Sequence, residues 1–138
     1  MTGLWILLAA VALALGFGIF RGRTDGRVRD VAVSDEGLID AASLNTPLGE
    51  KLTFVQFSSE FCTPCRRTNA LLTKVSAERE GVTHVELDVD EHIDLVHRFD
   101  VKRTPTVLIL DPDGVVTRRI VGAPSPQEIT QLLEERIA

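Results

Sequence analysis

Phe61-Cys-Thr-Pro-Cys65, "FCTPC", holds both cysteines of the chain with two residues between them. The preceding run Lys51–Phe57, "KLTFVQF", alternates into Val, Phe and Leu, reads as a buried strand and stops at Ser58-Ser59. Cys62 then opens a helix. Pro64 falls in its first turn, where a missing N–H costs nothing, and Leu71, Leu72 and Val75 supply an apolar face up to Gly81. A cysteine pair at such a strand-to-helix junction can cycle between dithiol and disulfide or hold a metal, and the rest of the chain has to decide between them.

Downstream, Val82–Val89 reads as a second strand, and the segment carrying Ile93, Val96 and Phe99 as a short amphipathic helix. "TPTVLIL", Thr104–Leu110, is a strand opening on proline; "DPDG", Asp111–Gly114, is a tight turn, and "VVTRRIVG" alternates as its hairpin partner. Ser125-Pro126-Gln127-Glu128 combines an N-cap serine, a proline at the first helical position and a glutamate three residues after the cap, announcing a terminal helix. Strands separated by helices imply parallel pairing, and the hairpin adds an antiparallel edge. The expected fold class is α/β, a mixed central sheet flanked by helices.

From about Lys51 to Ala138 these features together resemble the thioredoxin family. The likeness rests on the strand ending in "VQF" that leads into Cys-x-Pro-Cys on a helix, on the Thr-Pro at Pro105, on the hairpin that follows, and on Val121-Gly-Ala123 ahead of the last helix. It implies a thioredoxin fold, no bound cofactor, and a thiol-disulfide oxidoreductase, more specifically a protein-disulfide reductase. A thiol at a helix N-terminus meets unpaired N–H groups and the positive end of the dipole, which favour thiolate, so Cys62 is expected as nucleophile and Cys65, within the first turn, as resolving thiol. The resemblance further implies that Pro105 is cis and that Thr104 offers its backbone to an extended substrate segment. Phe61, Pro64, Gln56, Thr104 and Pro105 are the expected supporting residues.

Departures from the family pattern bear on direction of electron flow. Gln56 stands where the family has a buried aspartate that helps deprotonate the resolving thiol, and glutamine takes no proton at neutral pH. Glu86 stands where the family has a lysine, as a partial replacement for that carboxylate or as a solvated strand residue. Phe61 replaces a tryptophan. A disulfide oxidase or isomerase, or a non-catalytic binding module of the same fold, is the alternative. A metal site from Cys62, Cys65, His92 and His97 is disfavoured because 26 residues separate Cys65 from His92, far more than in small zinc fingers, and both histidines are expected on a helix away from the cysteines. His84 reads as a packing or solvated residue.

At the other end, Leu4–Phe20 runs for 17 residues without a charge. As a helix it reaches roughly 25 Å, and residues 1–3 bring it near the hydrocarbon thickness of a bilayer. No Lys or Arg precedes it and its only small-x-small site lies inside it, so an uncleaved anchor is favoured over a cleaved signal. Arg21, Arg23, Arg27 and Arg29 follow, which by the positive-inside bias puts the C-terminal domain on the cytoplasmic side of a single-pass cell-membrane protein. The organisation expected is an anchor over 1–20, a linker and lead-in over 21–47 with a weak edge strand at Arg27–Val33, and the thioredoxin-like domain over 48–138. The net charge of −5 carries no basic stripe, which argues against nucleic acid. The partners expected are a disulfide-containing protein substrate, a thioredoxin-reductase-like or low-molecular-weight thiol donor, and the membrane.

Overall fold

The computed structural model describes residues 1–24, 26–30 and 37–137. Helix α1, Thr2–Thr24, is long and apolar enough to cross a membrane and buries none of its residues against the rest of the chain. At about 1.5 Å per residue it is about 35 Å long. Next come β1 (Val28–Asp30), α2 (Ala41–Leu44), β2 (Leu52–Ser58), α3 (Thr63–Glu78), β3 (Val82–Asp88), α4 (Ile93–Arg98), β4 (Thr106–Leu110), β5 (Val116–Val121) and α5 (Pro126–Ile137). From β2 onward this is the element order expected from the sequence. The cap of α5 is reciprocal as anticipated: the Ser125 N–H donates to Glu128 Oε2 at 2.9 Å and the Glu128 N–H to Ser125 Oγ at 3.2 Å.

The strands form one sheet in the order β1-β5-β4-β2-β3. β2 pairs in parallel with β3, but β4 lies antiparallel to β2, which corrects the parallel pairing expected for helix-separated strands. The reason is length. The six residues of α4 cover about 9 Å at 1.5 Å each, too little to carry the chain back along β3. The chain therefore re-enters the sheet at the end where β3 left it, and Thr106 pairs with Phe57 near the C-terminal end of β2. This reversal sets Thr104-Pro105 beside the loop that bears the cysteines.

All seven residues of β2 are buried, as befits the strand between β4 and β3. Phe54 on one face joins Leu72 of α3, Val107 and Ile109 of β4 and Ile129, Leu132 and Leu133 of α5. Val55 and Phe57 on the other join Leu87, Phe99 and Leu108. That second cluster also takes in Ile39 and Leu44, which the sequence assigns to the lead-in, and β1 extends the sheet beyond β5, with Val28 opposite Ile120. The lead-in thus contributes to the core, because sparse apolar residues show no periodicity yet bury well against a distant surface. Of the edge strand expected at Arg27–Val33, residues 31–33 lie outside the described residues.

Candidate functional site

Cys62 is the N-cap of α3. Its backbone is extended, and its Sγ accepts the N–H of Cys65 at 3.2 Å. An N-terminal N–H group aimed at sulfur stabilises a thiolate there. The two cysteines form a disulfide with an S–S distance of 2.06 Å and a Cα–Cα distance of 5.2 Å. Cys62 retains 8% of its surface exposed and Cys65 2%, so Cys62 is the more accessible of the two. Pro64 occupies the first turn, and its carbonyl accepts the Thr68 hydroxyl at 2.9 Å. Phe61, next to Cys62 in the chain, is 89% exposed.

The Thr104–Pro105 peptide is cis. Thr104 Oγ1 lies 3.1 Å from Ser59 Oγ, joining the start of β4 to the loop ahead of the cysteines, and the Pro105 carbonyl accepts the Gly122 N–H at 2.8 Å. The segments named by sequence as Gln56, Phe61-Cys65 and Thr104-Pro105 therefore converge at one end of the sheet.

Gln56 is fully buried, and its amide is spoken for on both sides. Its Nε2 donates to the Cys65 carbonyl and to Ser58 Oγ, both at 2.9 Å, and its Oε1 lies 3.0 Å from His84 Nε2. With the amide so oriented, His84 donates through Nε2, and its Nδ1, 3.3 Å from Thr73 Oγ1, accepts. His84 is the residue that sequence reading missed: it holds the glutamine that holds the backbone of Cys65. Its place in register with Phe54 on the adjacent strand was the available signal, but alternation alone does not say what a histidine touches. Burial pushes the His84 imidazole below its ordinary pKa, with the charge of nearby Glu86 acting the other way. A histidine depressed in the fold titrates near 6.5 when unfolded, so its contribution is fully present above that pH and is lost as pH falls toward the folded value. Thermal denaturation should show a lower Tm at pH 5 than at pH 7. His84→Gln, which still presents an N–H to Gln56, should flatten that difference.

Beside the disulfide opens a groove of about 490 Å³, lined by Ser59, Cys62, Cys65, Asn69, Glu86 and His92 among others. Glu86 Oε2 accepts from Asn69 Nδ2 at 2.6 Å and from Ser58 Oγ at 3.3 Å, so the carboxylate is fixed within the groove onto which the cysteines open. The expectation that both histidines of the segment lie away from the cysteines is corrected for His92, which reaches this groove, while His97 sits in the last turn of α4. Among the described residues no group of three or more His, Cys, Asp and Glu side chains is arranged to hold a metal ion.

A disulfide at a helix N-terminus beside a cis-proline, on this sheet, defines a dithiol redox domain. The Thioredoxin family pattern matches residues 40–135, and the chain belongs to the thioredoxin family. It is 30% identical over 98 residues to a thioredoxin of Chlamydia pneumoniae, covering 71% of this chain and 95% of that protein. Thioredoxin H5 of Oryza sativa subsp. japonica is 32% identical over 72 residues, 52% of this chain and about half, 53%, of that protein. Among solved structures, the thioredoxin NaTrxh of Nicotiana alata superposes with a TM-score of 0.56 at 32% identity, covering 63% of this chain and 74% of that one. Family and cysteine pair together make this a thiol-disulfide oxidoreductase fold with a redox-active disulfide.

Proposed function

We propose that the chain is a membrane-tethered protein-disulfide reductase. The observation that carries the reading is the Cys62–Cys65 disulfide, its outer sulfur at the α3 N-terminus and its inner sulfur buried. In the dithiol form the Cys62 thiolate attacks one sulfur of a substrate disulfide. That S–S bond breaks, the first substrate sulfur leaves as a thiol after taking a proton from solvent, and a mixed disulfide remains on Cys62. Cys65 then loses its proton and attacks Cys62 Sγ, releasing the second substrate thiol and closing the Cys62–Cys65 disulfide. Two electrons pass to the substrate, and a thioredoxin-reductase-like enzyme or a small thiol returns them. Gln56 takes no proton, and Glu86, fixed in the groove by Ser58 and Asn69, is the carboxylate available to receive that of Cys65 directly or through one water. Phe61, Thr104 and Pro105 form the rim on which an extended substrate segment lies.

The tether is α1, supported by its length, the uncharged run Leu4–Phe20 within it and its lack of buried residues. Arg21, Arg23 and Arg27 beside its C-terminal end support a domain on the cytoplasmic side. The second reading is an outward-facing oxidase or isomerase, and the reduction potential separates the two. Equilibration of the full chain in detergent against glutathione is expected to give a value near the roughly −270 mV of thioredoxins. A value near about −120 mV would reverse the direction of electron flow.

A further inference from the structure

We infer that the redox face of the domain is held against the bilayer surface, so that its substrate is a disulfide carried at headgroup depth by a membrane-embedded protein. The inference rests on the reading of α1 as a membrane span and names the substrate class of the proposed reaction.

The membrane helix and the redox site are linked by a short series of contacts. α1 ends at Thr24, and Gly26 is already docked on the domain, its N–H donating to the Val121 carbonyl at 2.7 Å. Its φ is +78°, and a Cβ there would sit 2.2 Å from the Ala123 carbonyl oxygen, so this approach is open to glycine alone. Next to Val121, the Gly122 N–H bonds the carbonyl of Pro105 at 2.8 Å. Thr104 in turn meets Ser59, which shares the groove of Cys62 and Cys65. One residue separates Thr24 from Gly26, and two Cα–Cα steps span at most about 7 Å, so the docked end of the domain stays within that reach of the end of α1.

A second groove, of about 820 Å³, bears on the same point from the helix side. It is bounded by Gly22 and Arg23 of α1, by Arg27, by Arg67 and Leu71 of α3, and by Pro124. The helix whose N-terminus carries the cysteines therefore faces the exit of the membrane helix. Arg23, Arg27 and Arg67 gather there beside one carboxylate, Glu128, although the whole chain has a net charge of −5, and basic side chains are drawn to anionic headgroups. Phe61, next to Cys62 in the chain, is 89% exposed and adds an apolar group close to the outer cysteine. The turn at Asp111–Gly114 lies at the opposite end of β5, whose six residues span about 20 Å at 3.3 Å each. A soluble globular substrate would have to enter the narrow space between domain and bilayer, whereas a juxtamembrane disulfide is already in it.

The test uses the full chain in phosphatidylcholine vesicles containing phosphatidylglycerol. One fluorophore is placed on Cys62 in Cys65→Ser. Another is placed on Asp113→Cys in a variant with both native cysteines changed to serine. Lipid with a nitroxide on its headgroup is expected to quench the first label several-fold more than the second. Equal quenching, or stronger quenching at position 113, in protein that floats with the vesicles overturns the orientation and leaves the tether standing. Failure to float overturns the tether, and the inference with it. For the substrate class, a peptide disulfide is attached to lipid headgroups through either a short spacer or a long polyproline rod and offered to the unmodified chain. Reduction is expected to be several-fold faster on the short spacer, and an equal or higher rate on the long one overturns the inference.

Discussion

Cys62→Ser is expected to lower turnover of a protein disulfide to the uncatalysed background, while Cys65→Ser still attacks and then stops at the mixed disulfide. The asymmetry follows from position. Cys62 receives an N–H at the helix terminus and is the more exposed sulfur, so removing it removes the attacking thiolate. Cys65 is 2% exposed and reaches only the sulfur beside it, so its loss leaves the first step intact and abolishes the second. The measurement is reduction of insulin by the pre-reduced protein after removal of the small thiol, together with non-reducing electrophoresis of membranes carrying Cys65→Ser, where partner adducts should accumulate and collapse on adding thiol. Normal turnover by Cys65→Ser would refute the two-step exchange.

The largest loss of stability is expected from Phe54→Ala. Phe54 is fully buried between α3 and α5, on the same face of β2 as Gln56. Its truncation should cost about 3–5 kcal/mol in lost burial and residual cavity, against a total stability of roughly 5–15 kcal/mol for a domain. Thermal denaturation followed by circular dichroism should show a fall in Tm of more than about 10 °C. Phe61→Ala, at an exposed position, should stay within about 0.5 kcal/mol of the parent. A small shift for Phe54→Ala would mean that the layer holding α3 is not packed as described.

Much of this molecule is legible in its residues. The buried strand before the cysteines, the proline in the first turn of α3, the hairpin at Asp111–Gly114 and the capping box at Ser125 each rest on local rules, and each stands in the fold where those rules put it. Other features were not legible because their causes are non-local. Ile39 and Leu44 have no periodic neighbours, and only the sheet face they cover makes them core residues. The direction of β4 depends on how far α4 can carry the chain, a matter of the length of a helix against that of a strand. His84 gains its role from a glutamine on the neighbouring strand.

The sequence by itself determined the chemistry available to this protein: two cysteines at a helix N-terminus, a proline at a strand start and an apolar segment long enough to span a bilayer. Spacing along a chain suffices for that, since capping, turn geometry and helix length are short-range properties. Only the tertiary structure decided which groups surround the cysteines, linking Gln56, His84, Ser58 and Glu86 in one hydrogen-bonded series that reaches the Cys65 carbonyl, and only it brought the exit of α1 onto the loop beside the cis-proline. Those arrangements depend on strand pairing and packing between residues far apart in sequence, which no local pattern encodes.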